Sequence, residues 1–240
     1  MEHDFSKWVL EKRDERGSAG GDYGLKRYMC RVYNYMSGGL VLTGMLAFFG
    51  ATSGIYASIA GTPLFWLVLL APLGLVMFLS FRLENMSLVA AQISFWLYAA
   101  LVGLSLSGVF LIYTGESIAR VFVVSAATYG ATSIYGYTTR ADLSRFGSFL
   151  FMGLIGIVTA GLVNLFLGST ALQLVISMIG VVVFTCLTAY DSQRIKDIYS
   201  TGEDDVIAGK KAIMGALALY LDFLNIFLLL LRLLGSRRRN

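Results

Sequence analysis

The sequence predicts an all-α polytopic membrane protein, a seven-helix bundle, and three observations lead to this fold class. Of its 240 residues, 57% are hydrophobic and only 14% are charged, whereas about a quarter of the residues in a soluble domain are charged. The mean hydropathy is +0.71. Apolar runs of about twenty residues, the length that crosses a bilayer, alternate with short polar segments. The 26 glycines and two prolines suit helices that pack closely in lipid.

Seven apolar runs are long enough to span the membrane. The segments between most of them are only a few residues long, so we expect no separate extramembrane domain. The chain then divides into a polar N-terminal tail (1–32), one transmembrane bundle (33–234) and a basic C-terminal tail (235–240). The predicted spans are 33–59, 63–81, 88–113, 118–138, 147–167, 171–190 and 212–234.

The distribution of lysine and arginine predicts the orientation. The segments "FRLENMS" and "TTRADLSR" contain arginines, whereas "GTP", "TGES" and "GST" contain no positive residue. The positive-inside rule therefore places the N-terminus in the cytoplasm, and the first apolar run is expected to be a permanent anchor rather than a cleaved signal. Seven full crossings would leave the basic "GSRRRN" tail outside, against the same rule. Either the last segment crosses and the tail is an exception, or that segment is re-entrant and returns the tail to the cytoplasm.

Two aspartates stand out against this apolar background. Asp191 follows an uncharged run of about twenty residues at the end of the sixth span, and Asp222 lies inside the last span. An aspartate within a span costs about 2.5–3.5 kcal/mol on insertion scales. Steps of three and four residues from Asp222 reach small and polar residues, so this stripe should face the bundle. The two carboxyl groups reach one depth only if the sixth helix continues past Tyr190 or the last helix starts below the membrane surface.

If the two carboxyl groups approach within hydrogen-bond range, both cannot be ionised at once, and the pair titrates as one unit. Such a pair would respond to cytosolic pH and would bind a cation more weakly when protonated. The alternative is structural: Asp222 bonds a neighbouring helix, and Asp191 pairs with a basic residue at the membrane surface. The candidate counter-charges are Arg82, Arg194 and Arg232, and the supporting polar residues are Gln193 and Asn225.

The residue inventory excludes several kinds of chemistry. The only histidine, His3, lies in the tail, which excludes a histidine-based hydrolase or metal site in the membrane. Two carboxylates fall short of the six to eight oxygens that calcium prefers, so we expect transient ion binding and no resident metal or cofactor. Lysines and arginines gather at span ends, as lipid contact requires, and we expect no nucleic-acid partner.

Tyr190-Asp191 and Asp222 partly resemble an intramembrane aspartyl protease, but the glycine-rich approach and following proline are missing, so we expect no enzyme.

Three segments resemble the Bax inhibitor family, also called the transmembrane Bax inhibitor motif family, in its bacterial YccA-like branch. They are "LTAYDSQRIK" at 187–196, "YGYTTRADLS" at 135–144 and "MGALALYLDFLNIFLLLLRLLG" at 214–235. The resemblance extends over about residues 25–239.

The resemblance implies six helices around a central C-terminal helix, and a pH-sensitive leak of cations, with Ca²⁺ as the expected ion. The family's two motif aspartates, its pH-sensing pair, correspond here to Asp191 and Asp222. An arginine on the second span latches the pair in some members, and Arg82 lies at about that position. Bacterial relatives are also linked to a membrane-anchored AAA protease, which makes a regulatory binding protein the alternative to a channel. The implied location is the bacterial inner membrane.

Overall fold

The computed structural model describes residues 2–238, except for the side chains of residues 2–22 and of Glu84; His3 and the last two residues of the basic tail fall outside this description. Within the described residues the chain is helical, with a single isolated β-bridge between Tyr113 and Arg237. The helices are α1 (Glu2–Thr52), α2 (Ile55–Ile59), α3 (Pro63–Arg82), α4 (Leu88–Ser105), α5 (Ser107–Ile112), α6 (Gly115–Thr138), α7 (Gly147–Leu167), α8 (Thr170–Ile198) and α9 (Asp205–Leu234).

Seven helical segments of the described chain are long and apolar enough to cross a membrane, which confirms the predicted fold class. Several boundaries differ from the predicted ones. The first span begins at Tyr23 and the last at Asp205, instead of at 33 and 212, so part of the predicted N-terminal tail (1–32) belongs to the bundle. The first span ends at Thr52, because Gly54 adopts a left-handed conformation (φ 75°) that lets the chain turn into the short α2. The third span is interrupted at Leu106, between α4 and α5. Helix α8 continues to Ile198, well beyond the predicted end at 190.

Helix α9 lies at the centre of the bundle, as the resemblance implied. In its most apolar window 72% of the residues are buried, against at most 33% in any other span. Both the small and polar stripe around Asp222 and the leucine and phenylalanine residues on the other sides of α9 are buried, because neighbouring helices enclose it on several sides. Helices α1, α4, α6 and α8 pack directly on α9, while α3 packs mainly on α4 and α7 on α8.

Glycines let two pairs of helices approach closely. A Cβ at Gly136 of α6 would overlap the backbone carbonyl of Ala189 on α8. A Cβ at Gly103 of α4 would lie 2.7 Å from the carbonyl oxygen of Thr43 on α1. Small residues at such crossings give tightly packed helices in lipid, where there is no hydrophobic drive to bring helices together. The α6–α8 crossing lies directly beside the segment of α8 that carries Asp191.

The C-terminal tail lies at the end of the bundle where α6 begins. Ser236 donates its N–H to Ser117 Oγ (2.8 Å) and accepts from the N–H of Thr114 (3.1 Å), and Arg238 donates its N–H to the carbonyl of Ile112 (2.9 Å). This end carries the loops predicted to lie outside. Helix α9 therefore runs from one end of the bundle to the other without turning back, and the described part of the tail lies at the end opposite the segment between α8 and α9.

Candidate functional site

The extension of α8 past Tyr190 brings Asp191 to the depth of Asp222. Helices α8 and α9 run beside each other along much of their length. The side chains of Asp191 and Asp222 approach within hydrogen-bonding range of each other. Asp222 lies 11 residues, or about 16 Å, along α9 from Lys211. The sequence allowed two arrangements in which the carboxyl groups meet, and the structure has the one with the longer sixth helix.

The two carboxyl groups have different environments. Asp222 is 5% exposed, and its Oδ2 is buried without a hydrogen-bond donor from the described residues. Asp191 is only half-buried, and it lines two cavities. The pair thus has one member that faces open space and one that is enclosed by protein. Because a buried carboxylate without a donor is strongly disfavoured, a proton shared within the pair is the arrangement that this geometry favours.

Two cavities reach Asp191 from opposite sides of α8. The larger, of about 600 Å³, lies between α3, α8 and α9, and the smaller, of about 460 Å³, lies between α7 and α8. Asp191 and Arg194 line both. The larger cavity also contacts Lys210 and Lys211, so both cavities lie toward the end of the bundle predicted to be cytosolic. A hydrated cation from that side would meet Asp191 first.

The half of the bundle on the α1 and α4 side of α9 is tightly packed. The hydroxyl groups of Tyr220 on α9 and Thr43 on α1 are hydrogen-bonded at 2.6 Å, and both residues are almost fully buried. The ring of Tyr220 packs edge-on against Phe95 and Tyr98 of α4. In this half a cavity of only about 90 Å³, with an almost entirely apolar lining, lies between α1, α6 and α9. The two larger cavities that reach Asp191 therefore lie on the α3 and α7 side of the aspartate pair, toward the end predicted to be cytosolic.

Of the three candidate counter-charges, the structure brings one to the pair. Arg194, one turn beyond Asp191 on α8, interacts electrostatically with its carboxyl group and lines the same cavities. Arg82 is exposed at the end of α3 and lies outside the lining of both cavities. Arg232 is exposed in the last turn of α9, ten residues or about 15 Å beyond Asp222, at the opposite end of the bundle.

The two supporting polar residues bond to backbone. Asn225 donates to the carbonyl of Leu221 in its own helix (2.8 Å). Gln193 holds the loop between α6 and α7: its Oε1 accepts from the N–H of Leu143 and its Nε2 donates to the carbonyl of Ala141, each at 2.8 Å. In the same loop Ser144 donates to Asp142, and these bonds hold the pKa of the Asp142 carboxyl below its ordinary value. Gln193 thus holds this loop against the end of α8 that is predicted to be cytosolic.

We predict that Gln193→Ala loosens this loop. The substitution removes two hydrogen bonds, each of which contributes about 0.5–1.5 kcal/mol. Amide hydrogen exchange of residues 140–146 should become about tenfold faster, while the core of α9 keeps its protection. Gln173→Ala, on the same helix but at its opposite end, is the matched control. Equal protection of the loop in both variants would contradict the role assigned to Gln193.

Sequence reasoning missed a group of hydroxyl side chains next to the pair. Tyr33 of α1 bonds Ser133 of α6 at 2.7 Å, and Ser133 bonds Ser192 of α8 at 2.8 Å. Tyr129, one turn from Ser133, interacts electrostatically with both aspartates. Of these four residues, only Ser192 could be singled out from the sequence, because it is the neighbour of Asp191. The others come from helices whose contacts a pattern of hydropathy does not reveal.

The fold and the site together define a polytopic membrane protein with a carboxyl pair enclosed by its central helix. Comparison with known proteins shows which family it belongs to. The family model "Inhibitor of apoptosis-promoting Bax1" matches residues 25–239, and the chain belongs to this family, the Bax inhibitor family. It is 48% identical to RP147 of Rickettsia prowazekii over 218 residues, covering 90% of this chain and 92% of that one. It is 47% identical to the inner membrane protein YbhL of Escherichia coli over 219 residues, covering 90% and 94%.

Proposed function

We propose that the protein is a pH-sensitive cation leak of the bacterial inner membrane, with Ca²⁺ as its ion and the Asp191–Asp222 pair as its gate. The observation that carries the proposal is the approach of two carboxyl groups at the inner end of a cavity that opens toward the cytosolic side. Membrane-buried aspartates are costly and are retained where ions or protons are handled. The role is transport rather than catalysis, without a cofactor.

The geometry supports an order of events for the cation. From the cytosolic side an ion reaches Asp191 through either cavity, in competition with the guanidinium of Arg194. Two carboxyl groups provide at most four oxygens, so water must complete the coordination of Ca²⁺, and binding is weak enough for transit. Passage beyond Asp222 requires α9 to shift, because Asp222 is buried and lies outside the lining of both cavities that Asp191 lines.

The sign of the pH dependence follows from charge. At lower pH the pair holds a proton, its carboxyl groups stay hydrogen-bonded, and it attracts a cation weakly. As the pH rises the shared proton is lost, two negative charges face each other in a low-dielectric site, and they repel. The repulsion favours separation of α8 from α9 and a stronger attraction for a divalent cation. We therefore expect cation flux to increase with cytosolic pH.

The test is Ca²⁺ flux into dye-loaded liposomes that contain the purified protein, measured between about pH 6 and about pH 8, since a coupled carboxyl pair keeps a proton to higher pH than a free carboxyl group. We predict that wild-type flux rises with pH and that Asp191→Asn reduces flux at high pH by at least about tenfold and flattens its pH profile. Asp197→Asn changes an exposed aspartate on the same helix and should leave the profile unchanged.

Flux no greater than that of empty liposomes would remove the leak proposal. The alternative, a regulatory protein that binds a membrane-anchored AAA protease, would then take its place. That alternative assigns function to the N-terminal tail (1–32) and to the segment 192–211, in which residues 199–204 connect α8 to α9. It predicts that substitutions there, and not at Asp191, weaken recovery of the protease together with this protein from solubilised membranes.

A further inference from the structure

A chain of hydroxyl groups on α1, α6 and α8 leads from a third cavity to Ser192, the neighbour of Asp191, and this cavity is separate from the two that Asp191 lines. This cavity, about 470 Å³, lies between α1 and α6. Lys26 and Tyr137 line its outer part, and Tyr33, Tyr129 and Ser133 line the part nearer the bundle centre. From Tyr137 to Tyr129 the cavity follows α6 for eight residues, or about 12 Å.

The mouth of this cavity lies at the predicted cytosolic end. The ammonium group of Lys196 on α8 donates to the carbonyl of Tyr137 at 3.0 Å and lies 5.3 Å from the centre of its ring. Lys196 is two residues beyond Arg194, in the basic segment that follows Asp191. The third cavity and the two ion-accessible cavities thus begin at one end of the bundle, on different sides of α8.

Several hydroxyl groups lie between this cavity and the aspartate pair. Tyr33 Oη and Ser133 Oγ are 2.7 Å apart, and Ser133 Oγ and Ser192 Oγ are 2.8 Å apart; Ser133 and Ser192 are at most 3% exposed. The hydroxyl of Tyr129 lies beside Ser133 and interacts electrostatically with Asp222, yet it is buried without a hydrogen-bond partner among the described residues. Asp222 Oδ2 is likewise buried without a hydrogen-bond partner among the described residues. The ring of Tyr129 packs edge-on against Phe223, the residue after Asp222, so these two buried polar groups lie on neighbouring parts of α6 and α9. Each needs a reason, since each is costly.

We propose that Tyr33, Ser133 and Tyr129 form a proton route between the cytosolic mouth of this cavity and Asp222. The inference rests on the proposed function only in that it concerns the same carboxyl pair. In one transfer, each hydroxyl accepts a proton on a lone pair and passes its own proton onward. The cavity loses one proton, Asp222 gains one, and no hydroxyl changes its charge. Tyr129, which has no fixed partner, can turn between Ser133 and the carboxyl group.

The route separates the proton from the cation. Asp222 lies outside the lining of both cavities that Asp191 lines, so a proton on that path would have to pass Asp191 and would compete with a bound cation. A route through α6 lets Asp222 equilibrate with cytosolic pH while a cation occupies the other side of α8. Among the described residues, the titratable groups that interact with Asp222 are Asp191 from α8, beside which Arg194 lies, and Tyr129 from α6. Tyr33 from α1 is connected to this group through Ser133, and Tyr98 from α4 packs on Tyr220 instead.

The test measures exchange of the proton on Asp222 without using ion flux. In liposomes that contain the purified protein, infrared spectroscopy after transfer to D₂O follows the carbonyl stretch of protonated carboxyl groups, and the part lost in Asp222→Asn identifies Asp222. We expect Tyr129→Phe and Ser133→Ala to slow exchange by at least about tenfold, as loss of a general acid–base group does. Ser133→Thr keeps the hydroxyl and should restore the wild-type rate of exchange. Tyr33→Phe is a milder change in the lining of the cavity and should also slow the exchange.

Matched controls come from the same helices. Ser125→Ala removes a buried serine of α6 that bonds only its own helix, and Tyr98→Phe removes a buried tyrosine hydroxyl of α4; both should exchange at the wild-type rate. Unchanged exchange in Tyr129→Phe and Ser133→Ala, with slow exchange in Asp191→Asn, would overturn the route and assign proton delivery to Asp191. The absence of any band that depends on Asp222 would overturn it as well. Because flux is not measured, failure of the leak proposal would leave this result intact.

Discussion

Asp222→Asn should unfold at a higher temperature than the wild type at alkaline pH and at nearly the same temperature at acidic pH. The enclosed carboxyl group lies beside Asp191 with no donor to its Oδ2 from the described residues. The pair is stable while it holds its proton, and that stability is lost as the pH rises and both groups become charged. Two unit charges about 4 Å apart at an effective dielectric constant of about 20 repel by about 4 kcal/mol. The amide carries no charge at any pH and can donate to Asp191.

The measurement is thermal unfolding in detergent, followed by tryptophan fluorescence at a series of pH values. For a chain of this size about 1 kcal/mol moves the midpoint by about 2–4 °C, so the difference at alkaline pH should be on the order of 10 °C. Asp197→Asn, an exposed position on α8, is the control and should follow the wild type. A variant that is destabilised equally at every pH would instead show that Asp222 serves helix packing, the structural alternative that the sequence left open.

Gly136→Ala should destabilise the bundle and displace the site. A Cβ at this position would overlap the carbonyl oxygen of Ala189, a backbone atom that cannot turn aside, so α6 and α8 must separate. Overpacking of this kind costs about 1–3 kcal/mol. Ala189 is two residues before Asp191, and the separation also breaks the Ser133–Ser192 bond (2.8 Å). We expect a midpoint lowered by about 5 °C and an altered pH dependence of stability, both read from the same unfolding experiment.

Gly130→Ala is the control for this substitution. Gly130 lies on the same helix, and a Cβ there would have open space around it. Since alanine favours a helix by up to about 1 kcal/mol over glycine, this variant should be as stable as the wild type or slightly more stable. If both variants lost the same stability, the cost would come from the change of residue within α6 and not from the contact with α8.

The proposed function, a cation leak controlled by pH, joins two requirements that conflict. A cation needs charge and access, which Asp191 has through two cavities. A pH sensor needs a site whose protonation changes the packing of the bundle, and Asp222 on the most buried helix satisfies that need. Placing the two carboxyl groups in contact across the α8–α9 boundary lets the charge of one control the packing of the other.

The sequence by itself determined the membrane class, the number of spans and the identity of the two aspartates. Apolar runs of bilayer length follow from composition alone, and a charged residue inside such a run is costly enough to be conspicuous. The motifs around Asp191 and Asp222 were enough to predict the family. The ends of the helices were harder to predict: α8 continues for eight residues past Tyr190 in a polar sequence, because contacts with α9 and with the 139–146 loop, and not hydropathy, stabilise it there.

Only the tertiary structure decided which groups share the site. Arg82, Arg194 and Arg232 were equivalent candidates in the sequence, and the packing of the helices brings Arg194 alone to the pair. The hydroxyl groups of Tyr33, Tyr129 and Ser133 carry no signal in a hydropathy pattern, because a serine or tyrosine in a span is tolerated on many faces. Their meeting depends on the rotation of α1, α6 and α8 about their axes, which close contacts such as that of Gly136 with Ala189 fix. Hydropathy determines that a helix crosses the membrane, but small residues at helix crossings determine which of its sides faces the centre.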